Sequence, residues 1–162
     1  ESDEDVERLR GEGAEVRVVE ELGNPSAEAD EARYRGVYTK LRCWELLEYE
    51  QILFLDADTV AVQSLDHLFE ERAGAELAAA PDVRAADRFN SGVLLLRPSL
   101  ERFERLCARR SELSSYDRGD QGYLNEFFAD WFESPALARL PLGYNAPLEL
   151  ARCEPAYFEH LS

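Results

Sequence analysis

Positive charge is what this sequence has least of. Its 162 residues carry 18 Lys and Arg against 34 Asp and Glu, a formal net charge of −16 at pH 7. Nucleic-acid binding needs a basic surface to neutralise phosphates, so that class of partner is excluded, as is docking on an anionic membrane. Lysine is almost missing: Lys40 stands alone among arginines. No run of about 18 apolar residues occurs, so no helical membrane span is expected. Cys43, Cys107 and Cys153 form no CxxC pair and no zinc-ligand spacing. They read as buried free thiols, and hence as signs of a reducing, cytoplasmic setting. Glu1 opens an acidic stretch that is not a signal peptide. With no repeat, low-complexity linker or composition break, residues 1–162 are expected to form one domain with an ordinary core.

What is present alternates in period. Residues 3–10 suggest a short amphipathic helix and residues 14–19 a strand. Asn24-Pro25-Ser26 supplies turn chemistry in a loop over 23–32. A helix is expected over 38–49, since Leu41, Trp44 and Leu47 fall at helical spacing. Residues 51–55 form a continuous apolar run, the mark of a central strand covered on both faces. A short helix around 65–69, a strand over 77–80, a second apolar strand over 92–96, and helices over 99–110 (Ser99 as N-cap) and 121–131 follow. Residues 137–142 add a further strand. Trp44 and Trp131 sit at apolar helical positions and read as core. This alternation predicts an α/β sandwich with a mostly parallel central sheet, whose ligand sits at the carboxyl ends of the strands.

Acidic and polar clusters fall at or near those ends. Asp56 and Asp58 close an apolar strand, where two carboxylates one residue apart are costly without a cation. Mn²⁺ or Mg²⁺ suits such oxygen donors and would let a very acidic protein hold a diphosphate; a solvated Asp turn is the other reading. Asp117, Gly119, Asp120 and Gln121 enter a helix, with glycines that admit a ligand close to the backbone; an ordinary N-cap explains Asp120 as well. Asn90 and Ser91 either hydrogen-bond sugar hydroxyls or turn into the strand.

In order and spacing, Thr39-Lys40-Leu41-Arg42, Phe54-Leu55-Asp56-Ala57-Asp58-Thr59, Ala80-Pro81-Asp82, Phe89-Asn90-Ser91-Gly92, Gly119-Asp120-Gln121-Gly122 and Tyr144-Asn145 resemble the glycogenin-like retaining glycosyltransferases, family eight, of the GT-A fold. The resemblance covers residues 37–145. It implies a Rossmann-like α/β/α sandwich and a metal-dependent transfer of a hexosyl group, glucose above all, from a UDP-sugar to an acceptor with retention. It implies that Asp56 and Asp58 bind Mn²⁺ (or Mg²⁺), with the Ala57 backbone near the nucleotide and Lys40 at the donor. By the same resemblance Asp82, Asn90, Ser91 and Gly119 line the nucleotide-sugar pocket. Asp120, Gln121 and Asp117 lie beside the anomeric carbon. The partners implied are the UDP-sugar, a carbohydrate or protein acceptor, and a second copy in a homodimer.

The chain also departs from the pattern. The first βαβ unit and the His-bearing C-terminal metal segment are expected to be missing. His160 superficially matches that histidine, but Glu154-Pro155-Ala156 sets a register placing the ligand beyond Ser162; His67 fits less well. No tyrosine precedes Pro155 at the self-glucosylation position, and Tyr157 is out of register, which favours a separate acceptor. Two other readings stay open: a non-catalytic sugar- or partner-binding domain, and a haloacid-dehalogenase-like phosphatase with Asp56 as nucleophile. The sole lysine lies upstream of Asp56, against the latter.

Overall fold

The computed structural model of the chain describes residues 3–25 and 32–148. Cys153, Tyr157, His160 and the 154–158 segment lie outside these residues. The helices are α1 (Asp3–Gly11), α2 (Ala32–Arg35), α3 (His67–Glu71), α4 (Leu100–Arg109) and α5 (Asp120–Phe127). The strands are β1 (Ile52–Leu55), β2 (Leu77–Asp82) and β3 (Ala85–Leu96).

The strands form one sheet in the order β1-β3-β2, and both pairings are antiparallel. This corrects the expected mostly parallel sheet among the described residues. The physical reason lies in the burial pattern. Residues 91–96 are all buried, and β3 carries core on both faces: Leu94 and Leu96 belong to one cluster, Leu95 to the other. A continuous apolar run reports two covered faces, and an antiparallel centre strand satisfies it as well as a parallel one. The expected centre strand at 51–55 is instead the edge strand β1.

Register keeps each face consistent, as a period of two requires. Leu94 pairs with Phe54 and Ala79, all packed into the cluster of Tyr38, Leu41, Trp44, Tyr123 and Trp131. Leu95 pairs with Leu53 and Ala78, which face Leu68 and Leu140. Side chains of α4, α5 and residues 37–45 pack on one face of the sheet, and those of α3 with Leu137, Leu140 and Tyr144 on the other. Both tryptophans are core residues.

Other elements differ from their sequence reading. Val37–Glu45 is a 3-10 helix, not an α-helix to Tyr49. Tyr38, Leu41 and Trp44, all buried, recur every three residues, and only a three-residue turn stacks them on one line. Residues 14–24 form no strand: Val18 is 89 % exposed, so the alternation there has no face to bury. Residues 137–142 form a 3-10 turn (Ala136–Ala138) and one parallel bridge, Ala79 to Arg139, at the outer edge of β2. The helices α1 and α4 follow expectation, and Ser99 Oγ accepts from the Arg102 amide at 3.3 Å as N-cap. Cys43 and Cys107 are free, half-buried thiols, each pushed above its usual range by burial.

Candidate functional site

The two edge strands end on either side of β3. Asp56 follows β1 and its amide donates to Gly92 O at 2.8 Å. Asp82 ends β2, and the two-residue turn to Ala85 closes against it, the Arg84 amide donating to Asp82 Oδ1 at 2.7 Å. Between them lie Asn90, Ser91 and Gly92, inside β3 and not in a turn before it. Asp56 and Asp82 thus stand at the carboxyl ends of β1 and β2.

Lys40 enters this edge from the 3-10 helix. Its side chain is only 8 % exposed. Nζ lies 3.1 Å from Asp56 Oδ1 and 2.5 Å from Asp120 Oδ2, donates to Ser91 O at 3.2 Å, and sits 4.9 Å from the Phe54 ring centroid. A buried ammonium is tolerated because two carboxylates and a carbonyl replace its water. Asp120, 14 % exposed, also accepts from Ser91 Oγ at 2.7 Å. It is the first residue of α5, where its charge also meets the helix dipole; Gly119, buried and extended, is the N-cap.

Gln121 extends the network. Its Oε1 accepts from the Ser91 amide at 3.2 Å, and its Nε2 donates to Asp82 Oδ2 at 3.0 Å and to Tyr116 Oη at 3.1 Å. Asn90 Oδ1 accepts from the Gly92 amide at 2.8 Å and from Asn145 Nδ2 at 2.6 Å. Lys40, Asp56, Asp82, Asn90, Ser91, Asp120 and Gln121, all singled out in the sequence, thus lie together at one edge of the sheet.

Four others sit differently. Ala57 and Asp58 are exposed in the turn after β1, which Thr59 closes by donating Oγ1 to Asp56 O at 2.6 Å. Asp117 faces its own loop: Oδ1 accepts from the amides of Gly119 at 2.9 Å and Gly122 at 3.0 Å, with Ser115 Oγ at 2.8 Å. His67 Nε2 meets Tyr144 Oη at 2.8 Å on the far side of the sheet from α5.

Burial and neighbouring charge both act on Asp56. Burial pushes the Asp56 carboxyl above its ordinary range; Lys40 pulls it down, while Asp120 and Asp58 push it up again. Among the described residues no group of three His, Cys, Asp or Glu converges on one point. Asp56 and Asp58 alone would offer hard carboxylate oxygens, a donor set that fits Mg²⁺ or Mn²⁺ completed by phosphate oxygens and water.

Two participants escaped the sequence reading as individuals. Asn125 binds both polar groups of the Phe89 backbone, accepting at 2.9 Å and donating at 2.8 Å, and so fixes α5 to β3. Its position four residues after Gln121, on the same helix face, was the available signal. Tyr116 touches the site through Gln121, and nothing in its sequence neighbourhood marked it. Burial raises its phenol above the usual range, so it stays protonated at neutral pH.

The family model "Glycosyl transferase family 8" matches residues 3–148. Glycogenin-1 of Mus musculus is 45% identical over 107 residues, covering 66% of this chain and 31% of that protein. UDP-glucuronate:xylan alpha-glucuronosyltransferase 1 of Arabidopsis thaliana is 36% identical over 131 residues, 78% of this chain and 18% of that one. Inositol phosphorylceramide glucuronosyltransferase 1, also of Arabidopsis thaliana, is 31% identical over 166 residues, 92% and 30%. The chain spans less than a third of the length of these relatives.

Proposed function

Since the chain belongs to glycosyl transferase family 8, we propose that it moves a hexosyl group from a UDP-sugar to a hydroxyl acceptor, with retention and with a divalent cation. The observation that carries this reading is the Lys40 knot: one buried ammonium held by Asp56, Asp120 and Ser91 beside an exposed second aspartate. The sole lysine lies upstream of Asp56, against a phosphatase nucleophile, and a plain sugar-binding module would not need this ion cluster.

In this reading Asp56 and Asp58 would hold Mn²⁺ or Mg²⁺. When bound, the cation offsets charge gathering on the departing diphosphate. Lys40, neutralised by Asp56 and Asp120, fixes these two carboxylates relative to one another. The Asp120 carboxylate, fixed by Lys40 and Ser91, faces the positive charge that builds at the anomeric carbon as its bond to oxygen stretches. Gln121 keeps Ser91 and Asp82 at a set distance, and Asp82 and Asn90 offer polar atoms to sugar hydroxyls. Asn90 Nδ2 has no hydrogen bond among the described residues and can donate to one. Asp117 positions Asp120 and Gln121 by holding the loop that precedes them. The donor is a glucose or glucuronate derivative: glucose is the sugar that the glycogenin-like resemblance implies, and glucuronate is the one in the names of the Arabidopsis relatives.

The test is nucleotide binding followed by heat stability. UDP with Mn²⁺ should raise the melting temperature well above either alone, because only ligand bound to the native state stabilises it. Asp58→Ala, at an exposed position with little part in folding, should abolish the joint shift and leave the unliganded melting temperature in place. A joint shift that survives Asp58→Ala refutes the cation assignment. Absence of any shift in the unaltered protein refutes the nucleotide reading.

A further inference from the structure

The network at the sheet edge has one member that leads outward. Tyr116 is 50 % exposed, yet it is not loose. Its hydroxyl accepts from Gln121 Nε2 at 3.1 Å, and the Arg88 guanidinium carbon lies 4.4 Å from its ring centroid. Its backbone belongs to the loop tightened by Asp117: a Cβ at Gly122 would lie 2.7 Å from the Tyr116 amide nitrogen. An aromatic ring is therefore held in solvent, one hydrogen bond away from the residue that bridges Ser91 and Asp82.

Building on the transferase reading, we propose that Tyr116 is the landing platform for a neutral saccharide acceptor. An acceptor hydroxyl has to approach the carbon beside Asp120 and Gln121, so a rigid group bonded to Gln121 and open to water stands on its approach. An aromatic face suits the C–H face of a pyranose ring, while the nearby Asp82 and Gln121 suit its hydroxyls. Tyr116 offers that face at small entropic cost, because its hydroxyl and Arg88 already fix the ring. The net charge of −16 disfavours a polyanionic acceptor.

Saturation-transfer NMR on the full chain tests this without requiring turnover. The probes are maltoheptaose and xylohexaose as neutral saccharides and hexagalacturonate as an acidic one. A neutral oligosaccharide should bind the unaltered protein and Tyr116→Phe, which keeps the ring, and bind Tyr116→Ala about tenfold more weakly. In transfer from UDP-glucose to that saccharide, Tyr116→Ala should raise the acceptor KM more than it lowers kcat, whereas a merely structural loss would lower kcat and melting temperature together. Equal binding by Tyr116→Ala overturns the proposal. So does failure of both neutral probes, or binding of the acidic one alone. The donor reading fails separately, through the UDP melting experiment, whatever the saccharide result.

Discussion

A side chain at position 122 has nowhere to go. An added Cβ would stand 2.5 Å from Asp117 Oδ1, 2.6 Å from Ser115 Oγ and 2.7 Å from the Tyr116 amide nitrogen. Gly119, three residues earlier, has no such neighbour closer than 3.4 Å and an ordinary φ of −102°. Gly122→Ala should therefore destabilise the protein by about 2–3 kcal/mol, and Gly119→Ala by well under 1 kcal/mol, in urea unfolding. Both glycines attracted notice in the sequence as places where a ligand nears the backbone. For Gly122 the close neighbour is instead the chain's own aspartate. Charged residues were the legible part of the site, because burying Lys40, Asp56 and Asp120 without one another would be prohibitive. Tyr116 was not legible, since an aromatic residue in a loop carries no mark of what its hydroxyl will reach.

Between elements, α5 and β3 are coupled by three side chains: Asp120 and Gln121 reach Ser91, and Asn125 reaches the Phe89 backbone. Asn125 also donates to Gln121 O at 2.9 Å, one turn back along its own helix. Asn125→Ala strips the Phe89 amide and carbonyl of these partners inside the packed layer. Leaving such groups unpaired should cost about 2–4 kcal/mol in denaturant titration. Transfer activity should fall further than stability accounts for, because Gln121 and Asp120 ride on the same helix. The elements that the sequence predicted well, α1 and α4, carry their own local signals, an amphipathic stripe and a serine cap. Those it mistook were decided at a distance. The 3-10 geometry of 37–45 follows from which face meets Tyr123 and Phe128, contacts unseen in a linear chain. Strand direction was equally hidden, since apolar periodicity is identical for a chain run either way.

On the scale of the whole molecule, surplus negative charge opposes the proposed ligand. Lys40 is buried in its ion cluster and projects little field outward, so a UDP-sugar approaching without a cation meets net repulsion. Added salt should screen that repulsion: between about 10 and 100 mM NaCl, UDP affinity measured without divalent metal should rise, the reverse of the trend for a basic nucleotide-binding surface. A falling affinity over this range would mean that local positive charge outweighs the total. Among the described residues no helix is long and apolar enough to cross a membrane.

The bond from Asn145 to Asn90 joins positions 55 residues apart and puts the last described turn beneath the Asp56 corner. Strands β1 and β3 can pair, and α5 can dock, before residue 145 has left the ribosome. The bond that braces Asn90 cannot form. A nascent chain halted short of that asparagine should already own its hydrophobic layers yet leave the Asn90 carboxamide without its partner from residue 145.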